Sequence, residues 1–297
     1  MVLKRFNMLN LVAKAQGRMS TEMGADRYNM ENPNRGKYVV FNHETFATQL
    51  APRKGSSVDT RKIKQTFQQL GFTVDICNDY EYSGIIKKLE ELRRYDHSDN
   101  DCLCIFVLTH GVMDDFISAK DTNYKLDKIW KPFTADECST LAGKPKLFFF
   151  QTCRGTNLDP GVQMISFSGT TQTDGSGSNT SYRISTHADF FIRLQYGSRQ
   201  KFHSILTPLF AGFYSWRNPT EGSWYVQSLC DVLDKYAATR DLVNMLTITN
   251  RNVVENFESY NNDMPLLHNK KQMSSFTSNL MRDIYFTPKN QRNTTGG

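Results

Sequence analysis

The chain has 297 residues, 39% of them hydrophobic and 22% charged, with a formal net charge of +6; that length buries one substantial core or two modest ones, and no apolar run reaches a membrane span. Its six cysteines, at 77, 102, 104, 138, 153 and 230, lack the CxxC pairing of a metal site and fit a reduced, cytoplasmic protein better than a disulfide framework. The basic residues are dispersed without interleaved aromatics, which argues against nucleic acid or an anionic membrane as partner.

Before Glu22 the chain carries Lys4, Arg5, Lys14 and Arg18 and no acid. A mitochondrial-type presequence shares that bias, but a short disordered prodomain over 1–28 is the expectation adopted. Lys37–Phe41 then reads as a strand. Ser57 is the expected cap of a helix to Leu70, with Ile63, Phe67 and Leu70 on one face and Gly71 as its stop. Phe72–Cys77 reads as a second strand, and Ile85, Ile86, Leu89 and Leu92 mark a second helix. Cys102–Leu108 is an apolar strand on which Cys102 and Cys104 share one face and read as packing. A short excursion from Phe116 to Leu126 precedes a helix over Asp127–Phe133, and Leu147–Phe150 forms the next strand. Such alternation with short connections predicts a mainly parallel sheet with helices on both faces.

From Ser166 to Ser185 the chain turns Gly/Ser/Thr-rich, with Asp174-Gly175 at its centre, and predicts an exposed loop open to proteases. Trp224–Ala237 and Leu242–Phe257 read as amphipathic helices, followed by strand-like terminal segments.

Two strand ends carry the chemistry. One runs into Gln151-Thr152-Cys153-Arg154-Gly155, the other into Thr109-His110-Gly111. A thiol where a strand opens into a turn, beside a cation, has a raised thiolate fraction, and the thiolate is the nucleophile. If the strands are parallel neighbours, His110 lies beside Cys153 at the sheet edge where open α/β folds place their sites. A histidine there takes the thiol proton and returns it to the leaving amine. The glycines leave room for substrate against backbone N–H groups that hold an oxyanion.

Gln-Thr-Cys-Arg-Gly is one substitution from a signature pentapeptide of the caspases, which also have a histidine about 50 residues upstream. With Phe41-Asn42-His43-Glu44-Thr45-Phe46, Phe213-Tyr214-Ser215-Trp216-Arg217-Asn218 and Gly222-Ser223-Trp224-Tyr225, the chain resembles an effector caspase of the insect type from about Asn29 to about Phe286. The resemblance implies a three-layer α/β sandwich and an aspartate-specific cysteine endopeptidase of apoptosis, without metal or cofactor. It implies a pocket for the substrate aspartate from Arg53, Gln151 and Arg217; arginine suits it because its planar fork grips a carboxylate bidentately. Ser215 and Arg217 would pair with the peptide backbone, Tyr214 and Trp216 wall the second subsite, and Asn218, Trp224 and Tyr260 shape the fourth. The backbone N–H groups of Cys153 and Gly111 would form the oxyanion hole, and the carbonyl of Ala51 would orient His110.

The same resemblance implies a zymogen with a large subunit over 29–174, a linker over 166–187 and a small subunit over 175–297, activated by cleavage after Asp174; Asp26 is a weaker second candidate. Partners would be protein substrates cut after Asp, a second copy in a homodimer, an upstream initiator caspase and inhibitor-of-apoptosis proteins. Three departures stand out. The stretch 191–212 is longer than relatives need, with an insertion at about 193–206. Asp114 and Asp115 follow His110 and, if close, would favour its protonated form. Lys271–Phe276 is less apolar than expected of a strand at a dimer axis. A catalytically weak decoy or regulator that pairs with an active caspase is therefore the alternative.

Overall fold

The computed structural model describes residues 20–112, 115–152, 159–165, 181–184, 205–206, 215–260 and 264–289. Along the chain run β1 (Lys37–Asn42), α1 (Ser56–Gln69), β2 (Thr73–Asn78), α2 (Tyr82–Arg94), β3 (Leu103–Leu108), the hairpin β4 (Phe116–Ser118) and β5 (Asn123–Lys125), α3 (Asp127–Trp130) and β6 (Lys146–Gln151). There follow β7 (Val162–Ile165), β8 (Ser181–Ile184), β9 (Ile205–Leu206), β10 (Arg217–Asn218), β11 (Gly222–Ser223), α4 (Trp224–Tyr236) and α5 (Leu242–Asn256).

The central sheet has the order β2-β1-β3-β6-β9, and every pairing in it is parallel. β3 and β6 are wholly buried, because a parallel sheet covered on both faces has no wet side and its strands read as continuous apolar runs. Alternate residues serve two cores. Tyr38, Val40, Cys104, Phe106 and Phe149 pack with Ile63 and Phe67 of α1, Val226 and Leu229 of α4 and Met245 of α5. Val39, Phe41, Ile105, Val107 and Phe148 pack with Ile85 and Leu89 of α2, Ile129 of α3 and Phe133. The expected three-layer sandwich is the observed one, and Cys102 and Cys104 lie together in the first core. Among the described helices none is long and apolar enough to cross a membrane.

Several local expectations shift. Ser57 does not cap α1; the cap is Gly55, at φ +88 without a side-chain bond. Only glycine fits there, since a Cβ would come within 2.8 Å of the Asn218 and Pro219 carbonyl oxygens. Gly71 ends the helix as expected, at φ +90. Ile86 is exposed although Ile85, Leu89 and Leu92 are buried. Asp127–Phe133 splits into α3 and a 3-10 turn over Lys131–Phe133, because Pro132 supplies no N–H for an α-helical ladder.

Among the described residues no strand follows α5. The chain beyond it holds one 3-10 turn, Pro265–Leu267, and isolated bridges from Lys271 to Asp159 and from Asp283 to Arg27. The Lys271 ammonium turns inward to the Val254 and Phe257 carbonyls, and Gln272-Met273-Ser274-Ser275 lacks the alternation a strand needs to face a core.

Ser20–Tyr28, expected within the disordered prodomain, is tied to the C-terminal segment. Tyr28 N–H donates to Asp283 O and Asp283 N–H to Asp26 O. Beneath these bonds Asp101 receives both Arg35 at 2.9 Å and Lys289 at 2.6 Å. Ile205–Leu206, inside the stretch read as an insertion, pairs with Phe148–Phe149 as the last strand of this sheet among the described residues.

Candidate active site

The strand order turns back at β1, with β2 on one side and β3 on the other, so the carboxyl ends of β1, β3 and β6 open onto one crevice. Leu108 of β3 stands in register with Gln151 of β6, so the ends of these strands, each two residues before His110 or Cys153 in the sequence, are parallel neighbours at the same level. Cys153 itself lies outside the described residues, as do Asp114, Tyr214 and Asp174.

The loop from β1 to α1 crosses above these ends and supplies the orienting group. His110 Nε2 lies 2.8 Å from the Ala51 carbonyl oxygen. A carbonyl only accepts, so Nε2 carries the proton and Nδ1 of the neutral ring is the basic nitrogen. Burial pushes the His110 pKa below its ordinary value; the bond to Ala51 opposes this, while Arg53 and Arg217 add to it. Among the described residues the charges that act on this ring are those of Arg53 and Arg217, both cationic; Asp114, expected beside it, lies outside them. Phe46, not singled out in the sequence, sets its ring 5.0 Å from the imidazole.

Gly111 forms an antiparallel bridge with Ile117, flanked by Ser118 N–H to His110 O and Val112 N–H to Phe116 O. These two bonds make Gly111 and Ile117 a non-hydrogen-bonded pair, which turns the Gly111 N–H away from β4. That orientation suits an oxyanion donor.

Arg53 is 2% exposed. Its Nη1 donates to the His43 carbonyl at 3.1 Å and to Ser56 Oγ at 2.9 Å, and Ser56 in turn donates to Asn42 Oδ1. The end of β1 thus fixes the guanidinium. Arg217 comes from the far half of the chain and donates from Nε to the Lys54 carbonyl at 2.8 Å, one residue from Arg53. Gln151 Nε2 donates to Ser215 Oγ, which ties the end of β6 to the segment that carries Arg217.

Trp216 N–H is held by Gln272 Oε1 at 2.7 Å, and its ring stacks on Trp224 at 5.7 Å, which stacks on Phe257 at 5.4 Å. Asn218 Oδ1 accepts the Thr220 and Glu221 backbone N–H groups of its own turn. Tyr260 is 76% exposed, with its ring against His268 and not in the tryptophan stack; the three residues expected to share a fourth subsite are not packed as one group. Asp59 was missed: buried between the two arginine-bearing segments, it is within the reach of both cations. The signal was an acid at the inward position one turn before Ile63 on α1.

The family model for the caspase domain matches residues 35–285. The chain belongs to the caspase family. It is 42% identical over 277 residues to Caspase drICE of Drosophila melanogaster, covering 93% of this chain and 77% of that protein. Caspase-1 of Spodoptera frugiperda is 42% identical over 274 residues, 92% of this chain and 85% of that one. Caspase-7 of Gallus gallus is 35% identical over 264 residues, 88% of this chain and 80% of that one. The crystal structure of Caspase-1 from Spodoptera frugiperda superposes with a TM-score of 0.78 at 38% identity, over 93% of this chain and 99% of that one. The protein is a caspase of the insect effector type, a cysteine-type peptidase acting on proteins. The alternative of a weakly active regulator finds no support in these likenesses.

Proposed function

We propose that Cys153 is the nucleophile and that His110, through Nδ1, takes its proton. The single observation carrying this reading is the carbonyl-anchored imidazole, set at the end of β3 in register with the end of β6 and flanked by two arginines. Thiolate attack on the carbonyl after an aspartate gives a tetrahedral oxyanion, held by the backbone N–H groups of Gly111 and Cys153. The imidazolium then protonates the leaving amine, and water hydrolyses the thioester by the same base. Arg53, Gln151 and Arg217 take the substrate carboxylate, while Ser215 and Arg217 pair with its backbone. Tyr214 and Trp216 line the second subsite, and Asn218, Trp224 and Tyr260 border the fourth.

The chain acts as a zymogen, cut after Asp174 by an upstream initiator caspase, and works in the cytoplasm as a homodimer that inhibitor-of-apoptosis proteins bind. The antiparallel pair β7–β8 supports the processing reading: it brings together the two ends of segment 166–180, with Arg183 pinned to Glu258 at 3.0 Å. Cys153→Ala is expected to abolish cleavage of Asp-x-x-Asp peptides; turnover near wild type refutes the nucleophile. Asp174→Ala is expected to leave a full-length chain in activation assays, and normal processing would refute the cut site.

A further inference from the structure

Asp59 sits in the first turn of α1, where a carboxylate is favoured by the helix dipole, but it faces the core and is 1% exposed. Its two oxygens are both engaged by one residue: Oδ1 accepts the Ser223 N–H at 2.7 Å and Oδ2 the Ser223 hydroxyl at 2.6 Å. The approach is so close that a Cβ on Gly222, which lies at φ +93, would stand 2.3 Å from Oδ1. Ser223 is the residue directly opposite Arg217 in the β10–β11 pair. On its other side Asp59 belongs to the helix whose cap, Gly55, follows Arg53 and Lys54, and Lys54 accepts the Arg217 guanidinium. Burial raises the Asp59 pKa above the usual carboxylate value, and the Ser223 bonds, Arg53 and Arg217 only partly oppose this.

Two guanidinium groups gathered beside one imidazole repel each other, and each comes from a different half of the chain. A buried carboxylate acting on both offsets that repulsion, and its bidentate hold on Ser223 fixes the strand that carries Arg217 relative to the loop that carries Arg53. We propose that Asp59 is a positioning residue that sets the spacing of Arg53 and Arg217, and thereby the preference for aspartate over the longer glutamate. The proposal rests on the reading of these arginines as the substrate-carboxylate pocket.

The test uses the full chain, processed to its active form, with Asp59→Asn and Ser223→Ala. Peptides ending in Asp or Glu before the cut give KM and kcat, and the rate of Cys153 alkylation by iodoacetamide reads the thiol–imidazole pair without the pocket. Asp59→Asn is expected to raise KM for the Asp peptide about tenfold, the scale of one charge-assisted hydrogen bond. It should narrow the Asp-over-Glu preference while leaving kcat and alkylation near wild type. Ser223→Ala, which keeps the backbone N–H, is expected to give a smaller change of the same kind and serves if Asp59→Asn fails to fold. A lowered melting temperature with unchanged KM and unchanged preference in the variant that folds overturns the proposal. If wild type itself does not cut the Asp peptide, the carboxylate-pocket reading fails instead.

Discussion

Among the described residues, three cations are buried at the amino-terminal end of the parallel strands, and nearly all their partners are backbone carbonyls. Lys144 donates to the carbonyls of His97, Ser98 and Asn100, and Lys146 to those of Leu141 and Lys144. Arg35 meets Asp101 and the Leu70, Met30 and Thr287 carbonyls. At the carboxyl end Arg53 and Arg217 are also set against carbonyl oxygens, but the bond from Arg217 to Lys54 joins segments 163 residues apart. The chemistry is the same and the consequence differs. One end closes turns and chain termini onto the sheet; the other assembles a cationic crevice beside an imidazole. Losses at the first end should appear in stability, and losses at the second in substrate affinity.

The sharpest way to break this contrast is Asp101→Ala. It removes the carboxylate shared by Arg35 and Lys289 and leaves a fully buried guanidinium without its counter-charge. Breaking such a pair costs about 3–5 kcal/mol, readable as a lower midpoint in urea, whereas KM at a temperature where the variant stays folded should not move. A change in KM of equal weight would erase the division between the two ends. Arg217→Lys is the counterpart. The substitution keeps the charge and loses the planar fork, so kcat/KM for Asp-x-x-Asp peptides should fall about 100-fold, or about 2.7 kcal/mol, with little change in the urea midpoint. Lys144→Met is milder. It removes the ammonium donor from the carbonyls of His97, Ser98 and Asn100 and should cost about 1–3 kcal/mol in unfolding free energy, again without effect on KM.

What the sequence made legible divides along the same line. The strands could be placed because apolar runs such as Leu147–Phe150 end at abrupt polar turns, and the parallel register of β3 and β6 follows once both are buried on two faces. The place of His110 just past the end of β3 is legible from such a turn. Arg53 and Arg217 were reached only through the family resemblance, since an arginine in Pro-Arg-Lys-Gly looks like any surface residue; its burial depends on the His43 carbonyl and Ser56, which local pattern does not reveal. Asp59 illustrates the same limit, because its partner Ser223 lies far along the chain. The cap of α1 was misplaced by two positions: the serine at 57 fits a capping rule, but the approach of the 218–219 carbonyls selects Gly55 instead. Beyond α5 the strand expectation failed because Lys271 is drawn inward to carbonyls of the helix end, a tertiary contact with no sequence period.

The gentlest test concerns pH. His43 and His97 are buried neutral rings, each with Nε2–H donated to a backbone carbonyl, that of Tyr80 and of Leu92 respectively. Burial lowers the pKa of both, more than those carbonyl bonds raise it. His110 shares the direction, again with burial as the first cause. In the unfolded chain these rings protonate near the ordinary imidazole value of about 6.5. The native state therefore binds fewer protons below that point. The stability that the neutral rings contribute is fully present above about pH 6.5 and is lost as pH falls from there through the lower native values. Urea midpoints should be level between pH 7 and 8 and decline by pH 5.5. His97→Gln, which keeps a donor for Leu92, should flatten part of that decline without moving the acid limb of kcat/KM. With His110 as the proposed base, that limb should lie below the usual imidazole range. A limb displaced above it would mean that an acid, and not the two arginines, governs the catalytic ring, and the carboxyl end of the sheet would lose the electrostatic character that sets it apart.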